Sequence, residues 1–163
     1  MITAETVRTS RLTLLPLLVE HAEEMAGVLS DPALHGFIGG EPLSPEDLRA
    51  RYGRMTAGSP DPAESWLNWV LRPDEQGCLV GTVQATVTAD VAEIAWIVGT
   101  PWQGRGYATE AARALVGWLR EQGVGSVIAH IHPDHRASAA VAAAAGLVPT
   151  DEWHDGEVRW QLP

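Results

Sequence analysis

Residues 92–119, "AEIAWIVGTPWQGRGYATEAARALVGWL", constrain the fold of this chain more than any other segment. An apolar strand is predicted to end near Gly99, a short loop with two glycines follows, and a helix is predicted to begin near Gly106. Glycines let a backbone turn sharply and approach a ligand closely. The first N–H groups of a helix lack internal partners, and the helix dipole adds positive potential there. The segment therefore predicts a site for a phosphate or pyrophosphate.

Three phosphate-binding patterns compete for this loop. A Walker P-loop requires a Gly-Lys-Ser/Thr ending, which the sequence lacks. A Rossmann fingerprint requires a small residue where Thr109 stands, and an early position in a βαβ unit. The third pattern, Q/R-x-x-G-x-G/A, is matched by Gln103, Gly106 and Ala108. The candidate binding loop consists of Gln103, Gly104, Arg105, Gly106, Tyr107 and Ala108, in which Arg105 can add a charge.

The other periodic segments predict an α+β protein with the element order β-α-α-β-β-β-α-β-α-β-β. Ser44 and Pro45 form a typical helix start, and Asp155-Gly156 is typical of a tight hairpin turn. No Pro/Gly-rich stretch is long enough to separate two domains. We therefore expect one domain over residues 1–163.

Composition narrows the classes of partner. The chain has 11 basic and 21 acidic residues and a formal net charge of -10, which argues against nucleic-acid binding through overall charge. The charge favours a cationic small molecule or a basic peptide, or serves solubility alone. Cys78 is the single cysteine, so no internal disulfide can form. The N-terminus lacks a signal-peptide pattern and no apolar stretch suits a membrane span, so we expect a cytoplasmic protein.

The stretch "HIHPDH", residues 130–135, suggests a different chemistry. Its H-x-H-x-D-H form is the one with which metallo-β-lactamase-like hydrolases bind two metals. Such a fold needs further strands and ligands after the motif, but only residues 136–163 follow, with His154 as the one further histidine. We therefore expect no metal site, and structural roles for His130 and His132 at the end of a strand.

Five stretches, in order, carry a resemblance to a known family. They are "TSRLTLLPL", "GCLVGTVQATV", "AEIAWIV", "QGRGYATEA" and "HPDHRASAAVAAAAGLVPT". Together they resemble the GNAT superfamily of acyl-CoA N-acyltransferases, in particular the subgroup that includes ribosomal-protein N-terminal acetyltransferases. The resemblance covers nearly the whole chain. It implies a mixed, mostly antiparallel central sheet flanked by helices.

The resemblance also implies the reaction, which is attack of an amine on the thioester of acetyl-CoA without a covalent enzyme intermediate. Backbone groups of Ile97 and Val98 match the family's strand that pairs with the pantetheine arm, and an N–H there would stabilise the oxyanion. Glu93 is the candidate base, acting directly or through water. A carboxylate in an otherwise apolar strand could equally face solvent.

Two further candidates lie where the fifth predicted strand is followed by a helix. His135 stands where the family usually has Asn, at a cofactor contact. Ser138 matches the subgroup's serine and could contact the departing thiolate, although capping or packing would explain it as well. Many relatives carry a Tyr as general acid four residues before the helix-ending Gly, and this chain has Ala142 there.

The acceptor is left open by the sequence. An amine-bearing small molecule and a peptide N-terminus both suit the implied reaction. Trp66, Trp69 and Trp96 could line an acceptor pocket, or pack in the core or at a homodimer interface. Two other functions are compatible with the same residues: transfer from another acyl donor, including an aminoacyl-tRNA, and acyl-CoA binding without catalysis.

Overall fold

The structure, a computed structural model, describes residues 2–38 and 40–163. Its strands are β1 (Val7–Arg8), β2 (Leu12–Pro16), β3 (Glu64–Pro73), β4 (Gly81–Thr88), β5 (Val91–Val98), β6 (Ser126–Ile131), β7 (Val148–His154) and β8 (Glu157–Gln161). Its helices are α1 (Ala22–Val28), α2 (His35–Ile38), α3 (Pro45–Ala57), α4 (Tyr107–Glu121) and α5 (Arg136–Ala144). The predicted order of elements is confirmed, with the two-residue β1 and the one-turn α2 in addition.

The strands form one sheet in the order β1-β2-β3-β4-β5-β6-β8-β7. Every neighbouring pair is antiparallel except β5 and β6. The mixed, mostly antiparallel sheet expected from the sequence is therefore confirmed. In the stretch "GCLVGTVQATV" the strand β4 begins only at Gly81, after a turn in which Gln76 and Gly77 both donate backbone hydrogen bonds to the Pro73 carbonyl.

The parallel pair β5–β6 opens a wedge in this sheet. Its ladder covers Val91 to Glu93 on β5 and Ser126 to Ile128 on β6. Both strands continue beyond these residues, β5 to Val98 and β6 to Ile131. Within the described residues, β5 and β6 do not pair with each other after Glu93 and Ile128. One backbone edge of each strand therefore faces the wedge. The wedge gives a ligand access to strand backbone in the middle of the sheet.

Helices cover the two faces of the sheet unequally. The larger apolar cluster joins α4 to one face, through residues such as Leu115, Leu119 and Ile94. A second cluster packs α1 and α3 on the other face, around Met25 and Tyr52. Within the part of the chain that the structure describes, no helix is long and apolar enough to cross a membrane.

The predicted local signals are present in the structure. The Ser44 hydroxyl accepts a hydrogen bond of 3.1 Å from the Asp47 backbone N–H, as expected for the cap of α3. Asp155 and Gly156 both have positive φ, 50° and 81°, as a two-residue type I′ hairpin turn requires. These contacts fix where α3 begins and how β7 pairs with β8.

Candidate active site

A cavity of about 1000 Å³ lies at the wedge between β5 and β6. Its wall is formed by β5, the loop that follows it, the start of α4, the end of β6 and α5, with α1 and α3 at the far side. The sequence-predicted candidates Glu93, Ile97, Val98, Gln103, Gly104, Gly106, Tyr107, Ala108, His135 and Ser138 all line this cavity. Arg105 lies in the same loop and is exposed to solvent.

The glycine loop has the backbone that its sequence suggests. Gly104 and Gly106 have φ of 76° and 81°, values that side-chain-bearing residues rarely adopt. Gly106 is the N-cap of α4, and no side chain in the described residues caps this helix. The N–H groups of Tyr107, Ala108 and Thr109 consequently have no intrahelical acceptor. This arrangement suits an anionic group such as a pyrophosphate.

Two side chains hold this loop in place. Gln103 donates from Nε2 to the Val98 carbonyl at 2.9 Å, which ties the loop back to the end of β5. Arg11, between β1 and β2, donates from Nη1 to the Arg105 carbonyl at 2.9 Å. The Arg11 guanidinium also lies 4.9 Å from the centre of the Tyr107 ring, a cation–π geometry. These contacts tie the loop to the end of β5 and to the turn between β1 and β2.

Glu110 anchors Arg11 to the first turns of α4. Its Oε1 accepts from Arg11 Nε at 2.7 Å, and its Oε2 accepts from the Arg11 backbone N–H at 2.9 Å and from the Thr9 hydroxyl. Partial burial tends to raise the pKa of Glu110, but the hydrogen bonds from Thr9 and Arg11 and the Arg11 charge together hold that pKa below its usual value. The ionised carboxylate is thus the form that the fold stabilises.

This lowered pKa makes stability depend on pH in a defined direction. A carboxyl whose pKa is lower in the folded state stabilises the fold above its unfolded pKa, about 4.3, and this contribution is lost as the pH falls through the folded pKa. We expect Glu110→Gln to flatten the acid side of the profile of unfolding free energy against pH. Urea unfolding at a series of pH values below about 5 measures this, with the exposed Glu121→Gln as control. A steep acid side in Glu110→Gln that matches the parent would contradict the role of Glu110.

Backbone groups of β5 face the wedge in an alternating pattern. The Gly99 N–H donates to the Val80 carbonyl at 2.8 Å, in register with the β4–β5 ladder. Because hydrogen-bonded and non-hydrogen-bonded pairs alternate in antiparallel strands, the backbone groups of Ile97 point to β4, and those of Trp96 and Val98 point to the wedge. Val98 therefore offers its N–H to a ligand, and Ile97 reaches the cavity with its side chain.

Glu93 is the last residue of β5 that pairs with β6, and the wedge begins there. Its side chain is 51% exposed and projects from the face opposite to the buried Ala92 and Ile94. Its Oε2 lies 3.1 Å from Nδ1 of His130 on β6. The carboxylate is open to the cavity on one side and held by an imidazole on the other.

His135 and Ser138 meet at the start of α5. His135 is the N-cap, and its Nδ1 accepts from the Ser138 backbone N–H at 3.1 Å. Since Nδ1 is an acceptor, the proton of the neutral ring lies on Nε2, which is 3.3 Å from the Ser138 hydroxyl oxygen. Burial is the main reason that the pKa of His135 is lowered, which favours this neutral ring. Histidine can replace Asn here because both present an acceptor at the cap.

The other two histidines of "HIHPDH" contact the local backbone and the neighbouring strand β5. Nδ1 of His132 accepts from the Asp134 backbone N–H at 3.0 Å. His130 contacts Glu93, so the strand-end histidine that we expected to be structural lies beside the candidate base. In residues 2–38 and 40–163, no group of three or more His, Cys, Asp or Glu side chains is placed to hold a metal ion.

The tryptophans divide between core and cavity. Trp69 lines the cavity but is fully buried, and its Nε1 donates to the Glu5 carbonyl at 2.7 Å. Trp66 lies elsewhere, with its Nε1 donating to Glu64 at 2.6 Å. Trp96 and Trp102 line the cavity and are partly buried. Ala142, at the position of the family's Tyr, is buried and offers no proton donor.

Three charged residues at or near the site were not found by sequence reasoning, and the contact of His130 with Glu93 was not expected. Arg11 holds the glycine loop, Arg159 donates to His130, and Glu157 lines the cavity near His135. The sequence does show that Glu157 and Arg159 are charged residues within the predicted hairpin strand "EVRWQL". The pairing of β8 with β6 was needed to place them.

Comparison with known proteins decides the family. The family model described as "Acetyltransferase (GNAT) domain" matches residues 11–148. This chain belongs to the GNAT acetyltransferase family. It is therefore an acyl-CoA-dependent enzyme, and the resemblance seen in the sequence is confirmed.

Relatives of this GNAT chain include an FsC-acetyl coenzyme A-N(2)-transacetylase of Aspergillus fumigatus, which is 27% identical over 96% of this chain and 75% of the relative. A GNAT-family acetyltransferase of Bacillus anthracis has a similar structure, with a TM-score of 0.80, 18% identity and 96% of each chain covered. The RimL ribosomal L7/L12 alpha-N-protein acetyltransferase in complex with coenzyme A has a TM-score of 0.79 and 16% identity, covering 96% of this chain and 97% of its own. The two structural similarities show the GNAT fold.

Proposed function

We propose that this enzyme transfers the acetyl group of acetyl-CoA to a primary amine. The observation that carries the proposal is the convergence of the left-handed glycine loop, the open edge of β5 and the Glu93 carboxylate on one cavity. The loop suits the pyrophosphate, the β5 edge suits an extended amide-bearing arm, and the carboxylate suits an amine. They come from β5 and from the loop and helix start that follow it, and together they match the parts of one bisubstrate site.

The binding loop supplies affinity and orientation. The N–H groups of Tyr107 and Ala108, aided by the exposed Arg105, bind the pyrophosphate of the acyl donor. The N–H of Val98 faces the wedge and donates to the pantetheine arm or to the oxyanion that forms at the thioester carbonyl. Holding amine and thioester side by side removes much of the entropic barrier to reaction.

Glu93 handles the proton of the acceptor. A lysine-like amine has a pKa of about 10.4 and is mostly protonated at neutral pH, so the nucleophile must lose a proton. Glu93 takes one proton from the ammonium group, directly or through one water, which leaves a neutral amine. The amine nitrogen then bonds to the acyl carbon, the carbon–sulfur bond breaks to release the thiolate, and the nitrogen's second proton passes to water. The half-exposed position of Glu93 allows such a water.

Ser138 stabilises the leaving group. Nε2–H of His135 donates to the Ser138 oxygen, which leaves the hydroxyl proton free to point into the cavity. A thiol has a pKa of about 8.5, so sulfur can leave as a thiolate that needs a hydrogen bond more than a full proton transfer. This account explains how the reaction proceeds with Ala142 at the position of the family's Tyr.

The acceptor that we propose is an amine-bearing small molecule or a peptide N-terminus. Glu93 and Glu157 both line the cavity, and the chain carries a net charge of -10, so a cationic group is favoured near the reacting carbon. One relative named above is an acetyl coenzyme A-N(2)-transacetylase and another is an alpha-N-protein acetyltransferase, which supports a nitrogen acceptor. Trp96 and Trp102 add apolar surface to the same cavity.

The test is thiol release from acetyl-CoA across a panel of polyamines, small aromatic amines and peptides with free N-termini, followed by mass spectrometry of the products. We expect one thiol released per amide formed, with at least one panel member. Binding of acetyl-CoA without transfer to any amine of the panel would contradict the proposed acceptor. Transfer from a longer acyl-CoA, or from a charged tRNA, but not from acetyl-CoA would overturn the proposed donor.

A further inference from the structure

A continuous row of polar side chains crosses four strands on the face of the sheet that carries Glu93. Glu93 on β5 lies 3.1 Å from His130 Nδ1 on β6, and Nε2 of the same ring lies 3.1 Å from Arg159 Nε on β8. Arg159 Nη1 in turn lies 3.7 Å from Glu152 on β7. His130 and Arg159 are direct partners in the β6–β8 ladder. The row begins in the cavity and ends at the edge strand.

The direction of each hydrogen bond in this row follows from Arg159. A guanidinium nitrogen only donates, so Nε2 of His130 must accept with a lone pair. The proton of the neutral ring then lies on Nδ1, which donates to Oε2 of Glu93. A second proton on the ring would place N–H against N–H at Arg159. The geometry therefore selects neutral His130 with its proton on Nδ1.

The two side chains in the Glu93–His130 contact differ in their exposure to solvent. The His130 side chain is 5% exposed, and Glu93 is 51% exposed. The imidazole is held by Arg159 on one side and by the His154 ring, 5.0 Å away on β7, on another. A half-exposed carboxylate has several rotamers open to it, and the hydrogen bond from a fixed donor selects one of them.

We infer that His130 is a positioning residue, which uses Arg159 as its anchor and a proton on Nδ1 to hold the Glu93 carboxylate toward the acceptor amine. This inference rests on the proposed role of Glu93 as the base. It gives the first histidine of "HIHPDH" a role in holding the candidate base. One Glu93 oxygen is occupied by His130, so the other oxygen takes the proton of the amine.

The tautomer can be measured in the unmodified protein. Two-bond ¹H–¹⁵N correlation spectra of the histidine rings at neutral pH, assigned with His130→Asn, report which nitrogen carries the proton. We expect a protonated Nδ1 and an unprotonated Nε2 for His130, and the reverse for His135. A proton on Nε2 of His130, or on both nitrogens, would overturn the inference.

Two substitutions of His130 test the hydrogen bonds of its two ring nitrogens one at a time. Asn places a donor where Nδ1 stood and can still bond to Glu93, whereas Gln reaches the position of Nε2 and can bond only to Arg159. We expect His130→Gln to lower kcat by about 10–10²-fold, the scale of a misplaced catalytic group, and His130→Asn to retain most of it. KM for acetyl-CoA should not change in either variant. Glu121→Gln, at an exposed position at the end of α4, is the control and should leave kcat unchanged.

The outcomes distinguish this inference from the proposed function. If Glu93→Gln leaves turnover unchanged, the role of Glu93 as base fails. If Glu93→Gln lowers turnover but the Asn and Gln variants of His130 have equal kcat, only the positioning role of His130 fails. A lower kcat in Gln than in Asn, with equal melting temperatures, supports the inference.

Discussion

Gly106→Glu is expected to weaken acetyl-CoA binding by about 10²–10⁴-fold while the protein remains folded. Gly106 has φ of 81° and caps α4, so a side chain there adds backbone strain of about 1–2 kcal/mol. The added Cβ would meet only the flexible end of Arg11, at 3.2 Å. The new carboxylate would lie where the pyrophosphate is proposed to bind. Losing two charge-assisted hydrogen bonds, at roughly 1.5–3 kcal/mol each, gives the stated range.

A matched control for this variant lies just beyond the other end of the same helix. Gly123→Glu adds the same charge at an exposed glycine whose φ is also positive, 88°, with open space around the new Cβ. Calorimetric titration with acetyl-CoA, beside circular dichroism, compares parent, Gly106→Glu and Gly123→Glu. If Gly106→Glu is folded and binds acetyl-CoA as tightly as Gly123→Glu, residues 103–108 are not the pyrophosphate loop.

Glu93→Gln is expected to lower turnover by about 10²–10⁴-fold, the usual contribution of a general base, and to spare the affinity for acetyl-CoA. The amide keeps the size of the carboxylate but cannot take a proton from the amine. The affinity should be spared because Glu93 lies beyond the part of β5 and the loop that face the cofactor. Steady-state kinetics and calorimetric titration measure the two quantities separately.

The pH dependence sharpens this test. Turnover by Glu93→Gln should approach that of the parent as the pH rises toward the acceptor's pKa, because more of the amine is then already neutral. Glu121→Gln, an exposed carboxyl at the end of α4, is the control for loss of one negative charge. Unchanged turnover of Glu93→Gln at neutral pH would assign Glu93 a structural or solvent-facing role.

The fold could be predicted from the sequence because its signals are local. The alternation in "AEIAWIV", the cap at Ser44 and the turn at Asp155-Gly156 each fix an element by interactions within a few residues. The shape of the glycine loop is also predictable locally, because residues 104 and 106 are glycines and readily adopt the positive φ values observed. Strand starts were less predictable, as the turn before Gly81 shows.

The surroundings of the site could not be predicted, because they depend on strand register. Arg11 and Glu110 are 99 positions apart, and nothing local indicates that a residue near β2 clamps the start of α4. The contact of His130 with Arg159 requires the antiparallel β6–β8 ladder, which joins strands that are not consecutive. The residue order of "HIHPDH" suggests metal ligands. The hydrogen-bond partners of its histidine rings become clear only from the neighbouring strands.

A crystal structure of the protein with coenzyme A tests the central claim most directly. We expect the pyrophosphate against the N–H groups at the start of α4, the pantetheine arm along the open edge of β5 beside Val98, and the sulfur near Ser138 and Glu93. Coenzyme A bound away from the β5–β6 wedge, or with its pyrophosphate away from residues 103–108, would contradict the account.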